Sequence, residues 1–118
     1  MSDCIFCKIA TGAIPSNKVY EDEDVIVFHD LHPVAPVHVL VVPKTHIESL
    51  AHAEVEHQAL LGKLMLVGAR VADQLGLQKG FRTVINTGAG GGQTVFHLHL
   101  HVIGGPGLPS GILGVTTH

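Results

Sequence analysis

The chain has 118 residues, 46% of them hydrophobic and only 14% charged, with a formal net charge of −3 at pH 7. That length holds one domain with a real hydrophobic core and excludes two ordinary domains. Seven Lys and Arg against ten Asp and Glu make no basic stripe, which argues against bulk nucleic acid as a partner.

No apolar run reaches the roughly 18 residues of a membrane span, and Met1-Ser2-Asp3-Cys4 lacks the basic and apolar regions of a leader, so a cytoplasmic protein is expected. The lean surface charge fits a surface partly covered by a partner subunit, and a homodimer is expected. Cys4 and Cys7 are the only cysteines, and one C-x-x-C pair makes a secreted disulfide framework improbable. Ten histidines are many for so short a chain.

The apolar-rich stretch Cys4 to Ala10 predicts a short helix ended by Thr11-Gly12, and Ile14 to Asn17 reads as loop. Lys18 to Glu21 and Val25 to Phe28 are short β-branched or aromatic runs around Asp22-Glu23-Asp24, a hairpin pattern. After the loop Asp30 to Pro36, His38 to Val42 is nearly all apolar and should be a central strand ended by Pro43. One long helix is expected from about Ala53 to Leu75, with Leu60, Leu64, Val67, Val71 and Leu75 as its apolar stripe and Gly76 as its cap. Gly62 and Gly68 within it point to close packing. Phe81 to Asn86 predicts a strand, Thr87 to Thr94 a glycine-rich loop, and about Val95 to Ile103 the last strand. From about residue 106 the tail has no period and is expected to be either mobile or laid across a partner. Strands, one helix, then strands again predict an α+β fold with an antiparallel meander and not βαβ units.

The last strand carries the chemistry. In Phe96-His97-Leu98-His99-Leu100-His101-Val102, alternation sends three imidazoles to one face at roughly 7 Å intervals and leaves the apolar residues facing the core. Two uses compete: a three-histidine metal site with an open position, or a nucleophilic middle ring with a phosphate held before it. The glycine-rich loop lacks the Lys of a P-loop and leads into a strand, but its backbone N–H groups can approach a phosphate closely.

His97-Leu98-His99-Leu100-His101-Val102 resembles the motif of the histidine triad (HIT) family. The resemblance extends through Ile5-Phe6, Ile14-Pro15-Ser16, Phe28-His29-Asp30-Leu31, Ala35-Pro36-Val37-His38, Pro43-Lys44-Thr45-His46-Ile47, Leu61-Gly62-Lys63-Leu64, Asn86 and Gly91-Gly92-Gln93. It covers roughly residues 4 to 105 and is similar to the Hint branch, homodimeric nucleoside phosphoramidate hydrolases, in its bacterial type with an N-terminal C-x-x-C pair. A single HIT-like domain over residues 1–118 is therefore expected.

The resemblance implies that His99 attacks the α-phosphorus of an adenosine 5′-monophosphoramidate-type substrate, forming a nucleotidyl-histidine that water hydrolyses. It implies that His101 donates to the phosphate, that His38 orients the catalytic ring, and that Asn86, Gly92, Gln93 and Thr94 hold the phosphate or leaving group. Thr94 stands where many members have Ser and keeps the hydroxyl that passes a proton to the leaving amine. Asp30 would accept the ribose hydroxyls, a role a carboxylate can fill where beside a phosphate it would repel. Ile5, Phe6, Phe28, His29, Leu31 and Leu40 would enclose a purine base. A structural Zn²⁺ is implied on Cys4, Cys7, His46 and His97, with no metal needed for the chemical step. The alternatives are a dinucleoside polyphosphate hydrolase using the same nucleophile, and a non-catalytic nucleotide-binding protein.

Overall fold

In the computed structural model, which describes residues 3–108, five antiparallel strands form one sheet in the order β1-β2-β3-β5-β4. The strands are β1 (Lys18–Glu21), β2 (Val25–His29), β3 (Val37–Pro43), β4 (Arg82–Val84) and β5 (Leu100–Gly104). A short helix α1 (Ile5–Ala10) precedes them, and the long helix α2 (Gln58–Gln74) lies between β3 and β4. The meander holds through β1, β2 and β3, after which the chain crosses to the edge strand β4 and returns as β5 between β4 and β3. Burial explains the order: β3 and β5 are buried almost throughout, whereas the three-residue β4 is only half-buried and suits an edge. Expectations for the tail from residue 109 onward lie outside the described residues. No helix among the described residues is long and apolar enough to cross a membrane.

The period-2 alternation of the strands divides the core into two. On one face Val25, Val27, Val39, Val41, Leu100 and Val102 pack with Leu64, Val67, Val71 and Ala72 of α2. On the other face Ile26, Phe28, Leu40 and Val42 pack with Phe6 of α1. Since Leu40 lies opposite His101 and His38 opposite Ile103, the polar members of β3 and β5 fall on the α1 face. The apolar stripe on α2 thus supplies one wall of the protein and leaves the other for chemistry.

Three local boundaries differ from the sequence expectation. The long helix begins at Gln58 and not at Ala53, because two 3-10 turns, Leu50–His52 and Val55–His57, intervene. A reciprocal cap between Glu54 and His57, with Glu54 N–H donating to His57 Nδ1 at 2.9 Å, starts the second turn. The last strand starts at Leu100 and not at Val95: bends occupy residues 95–97, and Leu98 N–H donates to the Ile47 carbonyl at 2.7 Å. Phe96 is consequently 43% exposed and outside the core, while Leu98, Leu100 and Val102 enter it as expected. The strand expected over Phe81 to Asn86 pairs only through Arg82–Val84.

Gly76 adopts the expected left-handed cap, with φ of +87°. Close packing is found at Gly68 and not at Gly62: a Cβ on Gly68 would lie 3.1 Å from Leu100 Cδ2, whereas none at Gly62 would meet an atom within 4 Å. Gly62→Ala is therefore expected to stabilise the protein by about 0.5–1 kcal/mol through helix propensity. Gly68→Val is expected to destabilise it by about 1–3 kcal/mol through overpacking. Urea denaturation of the two variants checks both signs.

Candidate active site and metal cluster

Cys4 precedes α1 and caps it, its Sγ accepting the Cys7 N–H at 3.4 Å. The three-residue spacing sets Cys7 one helical turn further along the same face. The loop after β3 brings His46 to the pair, and the bent segment before β5 brings His97. Cys4 Sγ lies 3.2 Å and Cys7 Sγ 3.6 Å from His97 Nδ1, Cys7 Sγ lies 3.4 Å from His46 Nδ1, and the two Nδ1 atoms are 3.2 Å apart. All four donor atoms fall within 4.8 Å of one another.

His97 Nε2–H donates to the Pro43 carbonyl at 2.8 Å. A carbonyl can only accept, so the proton sits on Nε2 and the lone pair on Nδ1 points into the cluster. Burial holds the His97 pKa down to about 4, with the charges of His46 and His99 adding to the depression. Burial also pushes the Cys7 thiol up, and Cys4 beside it adds to the shift. Two thiols and two imidazole nitrogens converging in this way form the donor set of a tetrahedral, borderline-soft divalent metal. The grouping separates His97 from the other two triad rings.

His99 Nδ1–H donates to the main-chain carbonyl of His97 at 2.7 Å. The ring's lone pair is thereby placed on Nε2. Phe6 of α1 meets His99 edge-on, ring centroids 5.0 Å apart and planes at 88°, and His101 flanks it at 4.9 Å. His101 Nδ1 in turn lies 2.9 Å from His38 Nε2, and His38 Nδ1 accepts the Val34 main-chain N–H at 3.2 Å. Asp30 Oδ2 is 3.4 Å from His38 Nε2, both side chains being almost completely buried. A row of imidazoles therefore crosses the sheet from His38 through His101 to His99, with the proton of His38 on Nε2 and that of His99 on Nδ1.

Beside this row an apolar cleft of about 230 Å³ opens between α1 and the end of β2. Ile5, Phe6, Phe28, His29, Asp30, Leu31 and Leu40, the residues expected around a nucleoside, all line it. Ile9, Ile14, Asn17, His32 and Val95 also line it and were not foreseen; most sit in turns whose approach to α1 leaves no local signal. The glycine-rich loop is placed differently. Gly92 is left-handed with φ of +92°, and Asn86 Cγ lies 3.9 Å from where its Cβ would be. Thr94 is exposed at the end of the loop. Gln93 is buried, and its amide holds the loop together: Oε1 accepts the Gly88 N–H at 2.8 Å, while Nε2 donates to the carbonyls of Glu48 and Val95 at 2.9 and 3.0 Å. Those bonds make Gln93 a brace for the loop, with its side-chain amide turned to the protein.

The chain is similar in sequence and fold to known proteins. The HIT domain family model matches residues 11–107. Protein HitA of Neisseria gonorrhoeae is 57% identical over 106 residues, spanning 90% of this chain and 99% of HitA. The crystal structure of a HIT family hydrolase from Legionella pneumophila Philadelphia 1 superposes with a TM-score of 0.89 at 39% identity, covering 92% of this chain and 97% of that one. A Zn-bound histidine triad family protein from Mycobacterium smegmatis superposes with a TM-score of 0.75 at 39% identity, covering 86% and 74% of the two chains.

The depressed His97 pKa makes the stability of the metal-free protein depend on pH. An unfolded histidine takes up its proton near pH 6.5, the folded one only near 4, so the unfolded state binds more protons between these values. Stability from this ring is complete above about pH 6.5 and is lost as pH falls through about 4. Urea midpoints of chelator-treated protein should fall across that window, and His97→Gln should show a shallower fall.

Proposed function

The chain belongs to the HIT domain family, and from that premise we propose that it is a nucleotide hydrolase cleaving nucleoside 5′-phosphoramidates of the adenosine 5′-monophosphoramidate type. The observation that carries this reading is the 2.7 Å bond from His99 Nδ1–H to the His97 carbonyl, which leaves the Nε2 lone pair as the nucleophile. The base lies in the apolar cleft, where Phe28, Leu40 and Phe6 supply stacking and dispersion contacts. The ribose lies at the Asp30 end of that cleft, and its hydroxyls donate to the carboxylate.

In the first step His99 Nε2 attacks the α-phosphorus, the P–N bond to the leaving amine breaks, and a nucleotidyl-histidine forms. The amine departs with a proton that the exposed Thr94 hydroxyl relays to it from solvent. With His38 Nε2–H directed to His101 Nδ1, His101 carries its own proton on Nε2 and donates it to a non-bridging phosphate oxygen. The N–H groups of the Gly92 turn and the Asn86 amide hold the remaining oxygens and the leaving group. Water then attacks the same phosphorus and gives up a proton to solvent, which balances the one taken by the amine, the bond to His99 breaks with its electron pair returning to Nε2, and the nucleoside monophosphate is released.

Cys4, Cys7, His46 and His97 would hold a structural Zn²⁺, which ties the start of α1 to the loop after β3 and enters no step of the reaction. The four converging donor atoms and the Zn-bound relative support this assignment. A homodimer is part of the same reading, and the exposed Met65 and Leu66 on the outer face of α2 support it.

Turnover of adenosine 5′-phosphoramidate tests the nucleophile. His99→Ala should lower kcat by at least about a thousandfold, and wild-type protein quenched with alkali during turnover should carry one nucleotidyl group on a peptide containing His99. Equal rates in variant and wild type, or no turnover by either, would overturn the assignment. Metal analysis should find about one equivalent of zinc per chain. Cys7→Ser should lose it and melt at least about 5 °C lower.

A further inference from the structure

We propose that Asp30 is a positioning residue for His101 as well as a sugar acceptor: acting through His38, its carboxylate sets which nitrogen of His101 carries the proton. Sugar binding in the cleft then prepares the phosphate donor. The inference rests on the reading of the cleft as a nucleoside site. It adds a link between the two halves of that site that neither half requires on its own.

Among the residues lining the cleft, Asp30 alone also belongs to the buried Asp30–His38–His101 group, whose ligand-type atoms all lie within 4.8 Å of one another. Asp30 is therefore the residue shared by the cleft and the imidazole row. Main-chain bonds hold it there. Asp30 N–H donates to the His38 carbonyl at 3.0 Å, and Oδ1 accepts the His32 N–H at 2.8 Å, which aims Oδ2 inward.

The hydrogen-bond accounting at His38 supplies the mechanism. Its Nδ1 accepts the Val34 N–H, so the neutral ring carries its proton on Nε2. That Nε2–H faces two acceptors, His101 Nδ1 at 2.9 Å and Asp30 Oδ2 at 3.4 Å. Given to His101 Nδ1, the proton requires His101 to keep its own on Nε2, the nitrogen that serves a phosphate oxygen. Drawn to Asp30, it releases His101 Nδ1 from that constraint, and the opposite tautomer becomes accessible. Ribose hydroxyls donating to the carboxylate occupy its lone pairs and weaken its pull on His38. The protons of the set are conserved, and only their placement changes.

Adenosine, which has a sugar and a base but no phosphate, tests the link apart from catalysis. In wild-type protein, ¹⁵N shifts of the His101 ring should move toward the Nε2–H form on saturation with adenosine. Saturating 2′,3′-dideoxyadenosine, its binding followed by Phe28 resonances, should leave them unmoved. Asp30→Asn, with a wild-type melting curve, should not respond to adenosine. The same response to both nucleosides, no wild-type response, or a wild-type response in Asp30→Asn would overturn the proposal.

A kinetic comparison reads the same link during turnover. Removing both sugar hydroxyls from adenosine 5′-phosphoramidate should lower wild-type kcat by about tenfold beyond any change in KM, and the gap should shrink to under about twofold in Asp30→Asn. An effect confined to KM, or a gap of wild-type size in the variant, would count against it. If the wild-type rings respond to adenosine but neither phosphoramidate is turned over, the hydrolase reading fails and the tautomer link stands. If the phosphoramidate is turned over but the rings do not respond, the link fails and the hydrolase reading stands.

Discussion

The hydrogen bond from His99 Nδ1–H to the main-chain carbonyl of His97 joins two sites that would otherwise be separate. The His97 ring faces the cysteine pair, and its carbonyl faces the neighbouring imidazole. A carbonyl accepts and never donates, so this one contact decides the His99 tautomer. The chain bends away from regular pairing at residues 95–97, and from there the His97 side chain reaches Cys4 and Cys7. The late start of β5 and the exposure of Phe96 follow from the same bend.

Burying so many polar rings is costly unless each finds a partner. The structure meets this demand largely with the main chain: Pro43 O receives His97, His97 O receives His99, and Val34 N–H supplies His38. The opposite face of the sheet carries the stabilising load, where α2 packs over β3 and β5 with Gly68 in close approach to Leu100. One face therefore supplies most of the apolar burial, and the other accommodates the polar row beneath α1.

α1 shows how the two sites share material. Cys4 and Cys7 turn toward His46 and His97, while Ile5, Phe6 and Ile9 wall the cleft. Cys4 and the six residues of the helix thus present one side to the cysteine–histidine cluster and another to the cleft, and Phe6 touches both His97 and His99. The order of the helix and the shape of the cleft depend on the same few contacts.

Much of this protein was legible in its residues alone. The period-2 and period-3.6 patterns located β1, β2, β3 and α2 to within a few residues, because side-chain periodicity is a local consequence of backbone geometry. The alternating histidines pointed to a metal or a reacting phosphorus, and the residues that the family resemblance implied around a nucleoside do line one cleft. Residue order therefore carried the recurring side-chain types, their spacing and the face of an element on which they fall. Folding in three dimensions added that β5 inserts between β3 and β4, that Gln93 braces the glycine loop, and that Asp30 stands beside His38. These outcomes rest on partners distant in the chain or on main-chain groups that every residue carries alike, so no local pattern of side chains encodes them.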